Sequence, residues 1–249
     1  MMKKFLSLLG IISLLCFSMH AVKAQETYGP GDAPLVAVVG DVEIHTSNPD
    51  EMAYLIKQLL VKQYIEGNKL QATESEIAVF LQRKQLMMKN NRIKLDERRD
   101  EVRQLLAETS LTTDARTRLE KERLALDEMD KAMTQAESRA GSVESDAAES
   151  FVARSFIEQW KLNRALYRQY GGRVIYQQGG AEPLDAWQQF LRDAEKAGKF
   201  RILNQQLEPA LWSYYTTDSI HRFYPDSAAA GEQAINTPWW MMDEPAGQQ

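Results

Sequence analysis

Cysteine is almost absent: the only one among 249 residues, Cys16, lies in the apolar N-terminal stretch. The remainder of the chain therefore tolerates an oxidising compartment, but disulfide staples, thiolate catalysis and Cys-ligated zinc are excluded from it. Histidine is nearly as scarce. Only His45 and His221 lie beyond residue 24. Neither stands in an H-x-x-x-H or H-x-x-E-H spacing, so no metal site is expected. There is no G-x-S-x-G elbow, P-loop or dinucleotide fingerprint, hence no expected cofactor. No apolar run reaches the ~20 residues that span a bilayer, so stable membrane insertion is not expected.

Residues 1–24 have the layout of a secretory signal: Lys3-Lys4, an apolar run over 5–19, and Val22-Lys23-Ala24 as a small-residue cleavage site. Cleavage after Ala24 and a periplasmic location are expected. Cys16 follows Leu15, which argues against lipoprotein acylation. Cleavage removes three of the 30 bases and none of the 35 acids, moving the net charge from −5 to −8. Such an acid excess argues against nucleic acid as a partner, and against bulk attraction to anionic lipid.

What is present begins with an apolar β run over residues 35–44, broken at Gly40-Asp41, where a turn is predicted. Ser47-Asn48 before Pro49, with Asp50 and Glu51 behind it, marks a helix start. Met52, Leu55, Ile56, Leu59, Leu60 and Tyr64 recur at helical spacing as one buried face, and Gly67 ends the helix. Thr73 and Glu76 form a capping box that opens the next. This order, VAVVGDVEI followed by LIKQLLVKQYIEGNKLQATESEIAVFL, resembles the N-terminal module of the SurA and PrsA type of extracytoplasmic folding factors. The family usually has Asn-Gly at the strand turn, where this chain has Gly40-Asp41. Many of its members carry parvulin domains that isomerise prolyl bonds. This chain leaves no room for one, since residues 141–171 hold a single helix and 173–224 lack the paired histidine strands of that domain.

Residues 73–140 contain no Pro or Gly and balance 14 acids with 14 bases, which predicts two long, charge-dense helices. Leu81, Met88, Leu95 and Val102 fall seven apart in the first, beside a polar seam of Lys84, Asn91 and Arg98. In the second, Ala115, Leu119, Glu122, Leu126, Met129, Met133, Ala136 and Ala140 form a heptad with one polar break. The cap-rich link at 109–114 should fold them into an antiparallel hairpin roughly 40 Å long. Arg83, Lys84, Arg98, Arg99 and Arg103 are interleaved with acids, so no phosphate site is implied.

A further helix is predicted to run to Tyr170, with Phe156, Trp160, Tyr167 and Tyr170 on one face and Phe151, Ile157 and Leu166 beside it. A second small unit follows over 173–203: a strand at 173–177, Gly179-Gly180, a helix from Pro183 to Ala197, and a strand at 199–203. Both strands are expected to join residues 36–39 in one small sheet, and the resemblance also implies such a closure. Arg173, Gln177, Gln178, Gly179 and Gly180 are strand and turn residues that could also touch a ligand backbone. Residues 207–224 should be partly helical, broken near 216–219. His221 lies near Asp218, Tyr214, Tyr215 and Tyr224, a setting in which a structural role is expected. Residues 225–249 read as a flexible tail containing Trp239-Trp240-Met241-Met242, whose large apolar side chains should dock somewhere.

The expected fold is mainly α: a helical module over residues 34–224 with a long helical hairpin and a sheet of two or three short strands, preceded by a flexible lead-in at 25–33. By resemblance, the expected function is that of an ATP-independent holdase for unfolded envelope polypeptides. Its expected contacts are Met88, Met129, Phe156, Trp160, Tyr167, Trp212, Tyr215, Trp239 and Trp240. The alternatives are an envelope scaffold that docks one partner through the hairpin, and a prolyl isomerase with an unrecognised site.

Overall fold

The computed structural model describes residues 27–30, 32–139, 143–225 and 228–242. The expected leader, Ala140 with the turn after it, and residues 243–249 lie outside the described residues. The protein is mainly α, with seven α-helices and six short strands among the described residues. No described helix is long and apolar enough to cross a membrane. Two compact units are present: residues 73–154, and residues 27–72 together with 155–242.

In the first unit, α2 (Glu74–Ala107) and α3 (Thr113–Arg139) pack on each other as the expected hairpin. Thr73 and Glu76 cap α2 reciprocally. At about 1.5 Å per residue, α2 is roughly 50 Å long. The seam is thin, with Leu95, Val102 and Leu126 buried and Leu106, Leu119, Met129 and Met133 packed against them. Polar seam positions are paired across the helices: Arg98 grips Glu122 with two nitrogens at 2.9 and 3.0 Å, and Arg99 reaches Asp127 and Asp130 at 3.2 and 3.0 Å. These half-exposed pairs set register more than stability, since each contributes about 1 kcal/mol or less. Arg116 closes the end by donating to the Leu106 and Glu108 carbonyls at 3.0 Å. The amide nitrogen of Asn91 is buried without a hydrogen-bond partner among the described residues.

The second unit is built around β2 (Leu35–Val39). It pairs antiparallel with β3 (Val42–His45) through the expected turn, and antiparallel with β6 (Phe200–Ile202) from the far end of the chain. The expected flexible lead-in instead supplies β1 (Thr27–Tyr28), parallel to β3. Gly29 permits this approach: its φ is +109°, and a Cβ there would lie 1.7 Å from the His45 carbonyl oxygen. Helix α1 (Pro49–Gly67) starts at Asn48, whose side chain accepts from the Asp50 amide at 2.9 Å, and it buries Met52, Ile56 and Leu60. Those residues join Val36, Val39, Ile44, Ile175, Trp187, Phe200 and Leu211 in one core.

The strand at 173–177 does not join this sheet. As β4 (Val174–Gln177) it forms a hairpin with β5 (Gly180–Pro183), a strand not foreseen, and its other side bonds residues 222–224. The physical reason is local: the short Gln178-Gly179 link closes a hairpin at small entropic cost, while β6 already occupies the side of β2 away from β3. Helix α4 (Val143–Tyr170) leads into β4. Helix α5 (Leu184–Lys196) joins β5 to β6, and α6 (Glu208–Thr216) follows. The expected tail contains a further helix, α7 (Ala228–Asn236), and a 3-10 turn at Trp239–Met241.

Ile175 is fully buried, whereas Val38 sits beside Arg201 on the outer face of the sheet. Ile175→Asp is expected to cost about 4 kcal/mol or more as an unpaired buried charge, and Val38→Asp less than about 1 kcal/mol. Thermal melts of the two variants check this contrast. In the hairpin, Asn91→Leu is expected to raise stability by about 1 kcal/mol, because it removes a buried donor lacking a partner; urea unfolding followed by helicity measures it.

Candidate functional site

Helix α4 has two working faces within the second unit. Ile157, Leu162 and Leu166 are buried, whereas Phe156, Trp160, Tyr167 and Tyr170 are only half-buried. The aromatic face of α4 is therefore a lateral surface, and the C-terminal segment covers part of it. Trp239 meets Phe156 edge-on at 5.7 Å, Trp240 meets Trp160 at 6.0 Å, and the two tail indoles are 5.5 Å apart. The Trp160 ring nitrogen donates to the Ile235 carbonyl at 2.9 Å, and Arg164 lies over the Trp160 ring while its Nε donates to Asn236. Edge-to-face rings of this kind contribute about 1 kcal/mol per pair beyond their burial.

Beside these rings is a cavity of about 220 Å³ between α4, the β4–β5 turn and the tail. Trp160, Trp239, Trp240 and Tyr224 supply aromatic wall, and Gln159, Asn163, Gln177 and Gln178 supply amides. No charged side chain lines it. Asn163 organises the floor, donating to the Ala181 carbonyl at 3.0 Å and accepting from Trp187 and Gln159 at 2.8 and 2.9 Å. A neutral cavity with ring faces and amide groups is suited to apolar contact combined with hydrogen bonds to neutral polar groups, such as peptide units.

Of the expected contact residues, the fold gathers Phe156, Trp160, Trp239 and Trp240. Tyr167 is half-buried on α4 and joins none of the ring pairs. Trp212 and Tyr215 are corrected to core: both are buried in the cluster that holds α1 and α6, with Arg192 stacked over Trp212 at 4.4 Å. Their spacing on a short helix gave no sign of which side the core would take. Met88 is half-buried in α2, and Met129 packs on the hairpin seam. Gln177, Gln178, Gly179 and Gly180 do reach the cavity. Arg173 instead binds Asp185 through two nitrogens and Asp218 at 2.6 Å. Gly172, with φ +94°, makes this possible: a Cβ there would lie 2.5 Å from that of Asp185. Gln159 and Asn163 were missed, although their i,i+4 spacing beside Trp160 is visible in the sequence.

His221 donates from Nε2 to the Tyr214 carbonyl, 2.6 Å away, and stands edge-on to Tyr214 and Phe223. Nearby, burial pushes the Glu182 carboxyl above its ordinary range, opposed by Lys57, by the hydrogen bond to Tyr214 and by His221. The Tyr214 hydroxyl also receives a hydrogen bond from Gln177 at 2.5 Å. Among the described residues, no group of three or more His, Cys, Asp or Glu could hold a metal ion.

Because the folded-state pKa of Glu182 is raised, its contribution to stability is full below the ordinary value of 4.5 and is lost as pH rises through the raised value. Glu182→Gln is therefore expected to flatten the pH dependence of the melting temperature above 4.5 and to raise stability at neutral pH; melts across that range test it. Comparison with protein-family models, with curated proteins and with solved structures gives no match to this chain.

Proposed function

We propose that the protein is an ATP-independent periplasmic chaperone, a holdase that binds unfolded envelope polypeptides, related to the SurA type but without an isomerase domain. The observation that carries this reading is the uncharged cavity of rings and amides beside Trp160. Aromatic faces take varied apolar side chains, and amides bond peptide groups whatever the sequence. The chain's own Trp239 and Trp240 occupy the Phe156–Trp160 face as a client segment would. No nucleotide is needed, and the outcome is weak, sequence-tolerant binding. The wild-type protein is expected to suppress aggregation of a denatured envelope protein without ATP, and to show no prolyl isomerisation of a proline peptide.

Truncation after Asn236 removes both tail indoles but keeps Ile235 and its bond to Trp160. It is expected to strengthen client binding several-fold while leaving a folded unit, measured by anisotropy and circular dichroism. Lower stability without any gain in binding would make the tail a packing element only.

A second reading, an envelope scaffold docking one partner through the hairpin, is favoured by one surface. Val79, Leu86 and Ile93 are exposed at intervals of seven along α2, in a stretch, 77–95, with five bases and no acid. A photo-crosslinker at Leu86 that captures one abundant partner, with no suppression of aggregation, would select this reading.

A further inference from the structure

Strand β6 forms one edge of the four-stranded sheet. Lys199 and Leu203 direct their ladder groups to β2, through the Gly40 amide at 2.9 Å and the Val36 carbonyl at 2.8 Å, and Arg201 faces Val38 in the same register. In an antiparallel pair the intervening residues turn the other way, so the N–H and C=O of Phe200 and Ile202 point out of the sheet. No described residue bonds them. A groove of about 400 Å³ runs along β6 and onto β2, lined by Val38 and Gly40 as well as Phe200, Ile202, Arg201, Glu195 and Glu208. Open space and two outward donor–acceptor pairs at strand spacing are met by another extended backbone.

We infer that this edge binds an extended, net-basic polypeptide segment as a fifth strand, a sharpening that rests on the polypeptide-binding reading above. The two acids and one base of the groove favour positive charge in the occupant. A second copy of this chain fits poorly: the antiparallel register that joins both outward pairs of Phe200 and Ile202 sets Arg201 directly against its own counterpart, and like charges facing across strands repel. The occupant is therefore a foreign strand.

The test uses a fluorescein-labelled peptide of alternating valine and threonine with lysines at both ends, which keeps positive charge away from Arg201, with a glutamate-ended counterpart, and follows anisotropy together with amide hydrogen exchange. Binding of the basic peptide is expected to slow exchange at Phe200 and Ile202, with weaker binding of the acidic one. Ile202→Pro removes one outward donor while sparing the bonds to β2, and is expected to weaken binding roughly fivefold, the worth of about one hydrogen bond. If that variant fails to fold, protection of the two amides in the wild type decides alone. Suppression of aggregation without protection of these amides overturns the edge site and leaves the chaperone reading standing. Protection without suppression keeps the edge site and removes the chaperone reading. Protection of the same amides on self-association, without peptide, assigns the edge to a second copy and overturns the inference.

Discussion

The pairing of β2 with β6 is the contact on which the second unit depends. Residues 37–39 meet residues 200–202, so the sheet exists only when both ends of the chain have come together. Everything that completes the core is recruited between them: α1 lies against β2, α5 delivers Trp187, Phe190 and Leu191, and β4 brings Ile175. Closing so long a loop carries an entropic cost that grows only slowly with length, which is why an entire helical hairpin can be accommodated within it. Folding of this unit is expected to be limited by that non-local step, whereas the hairpin assembles from contacts nearer in sequence.

The two units treat buried polarity differently. In the hairpin, Arg98 and Arg99 keep their side chains partly exposed and reach across to Glu122, Asp127 and Asp130, which gives specificity of register at less desolvation cost than a fully buried ion pair. The amide nitrogen of Asn91 and the Nε of Arg99 are buried in this seam without a hydrogen-bond partner among the described residues. In the second unit, buried Asn163 both donates and accepts, to the Ala181 carbonyl and from Trp187 and Gln159. A satisfied polar hub of this kind holds α4, β5 and α5 in one arrangement, and the neutral cavity is formed against it.

The aromatic face of α4 ties fold to proposed function. A face with exposed Phe156 and Trp160 would be an adhesive surface, and the chain covers it with two of its own indoles rather than with core. Trp240 is buried while Met241 and Met242 remain exposed, so the segment is seated on one side only. The proposed holdase would exchange this internal ligand for a client, and the difference between their affinities would set how readily clients enter.

Local signals were legible in the residues themselves. Asn48 before Pro49, the Thr73–Glu76 box and the heptads through Leu95 and Leu126 each depend on neighbours within one or two turns, and each was realised. The mainly α class followed from them. Strand partners were legible only in part: both late strands were expected beside β2, and β6 took that place, but β4 and β6 look alike as short apolar runs, and only closure of the chain left β4 to β5. The same limit applied to the aromatics. Trp212 and Trp160 are equally apolar in sequence, yet one was buried by α1 and α5 while the other was left half-open for the tail, because which side of a helix is covered depends on elements distant in the chain. Helix α7, rich in alanine and short, has too little apolar periodicity to announce itself; packing against β4 and β5 is what makes it a helix.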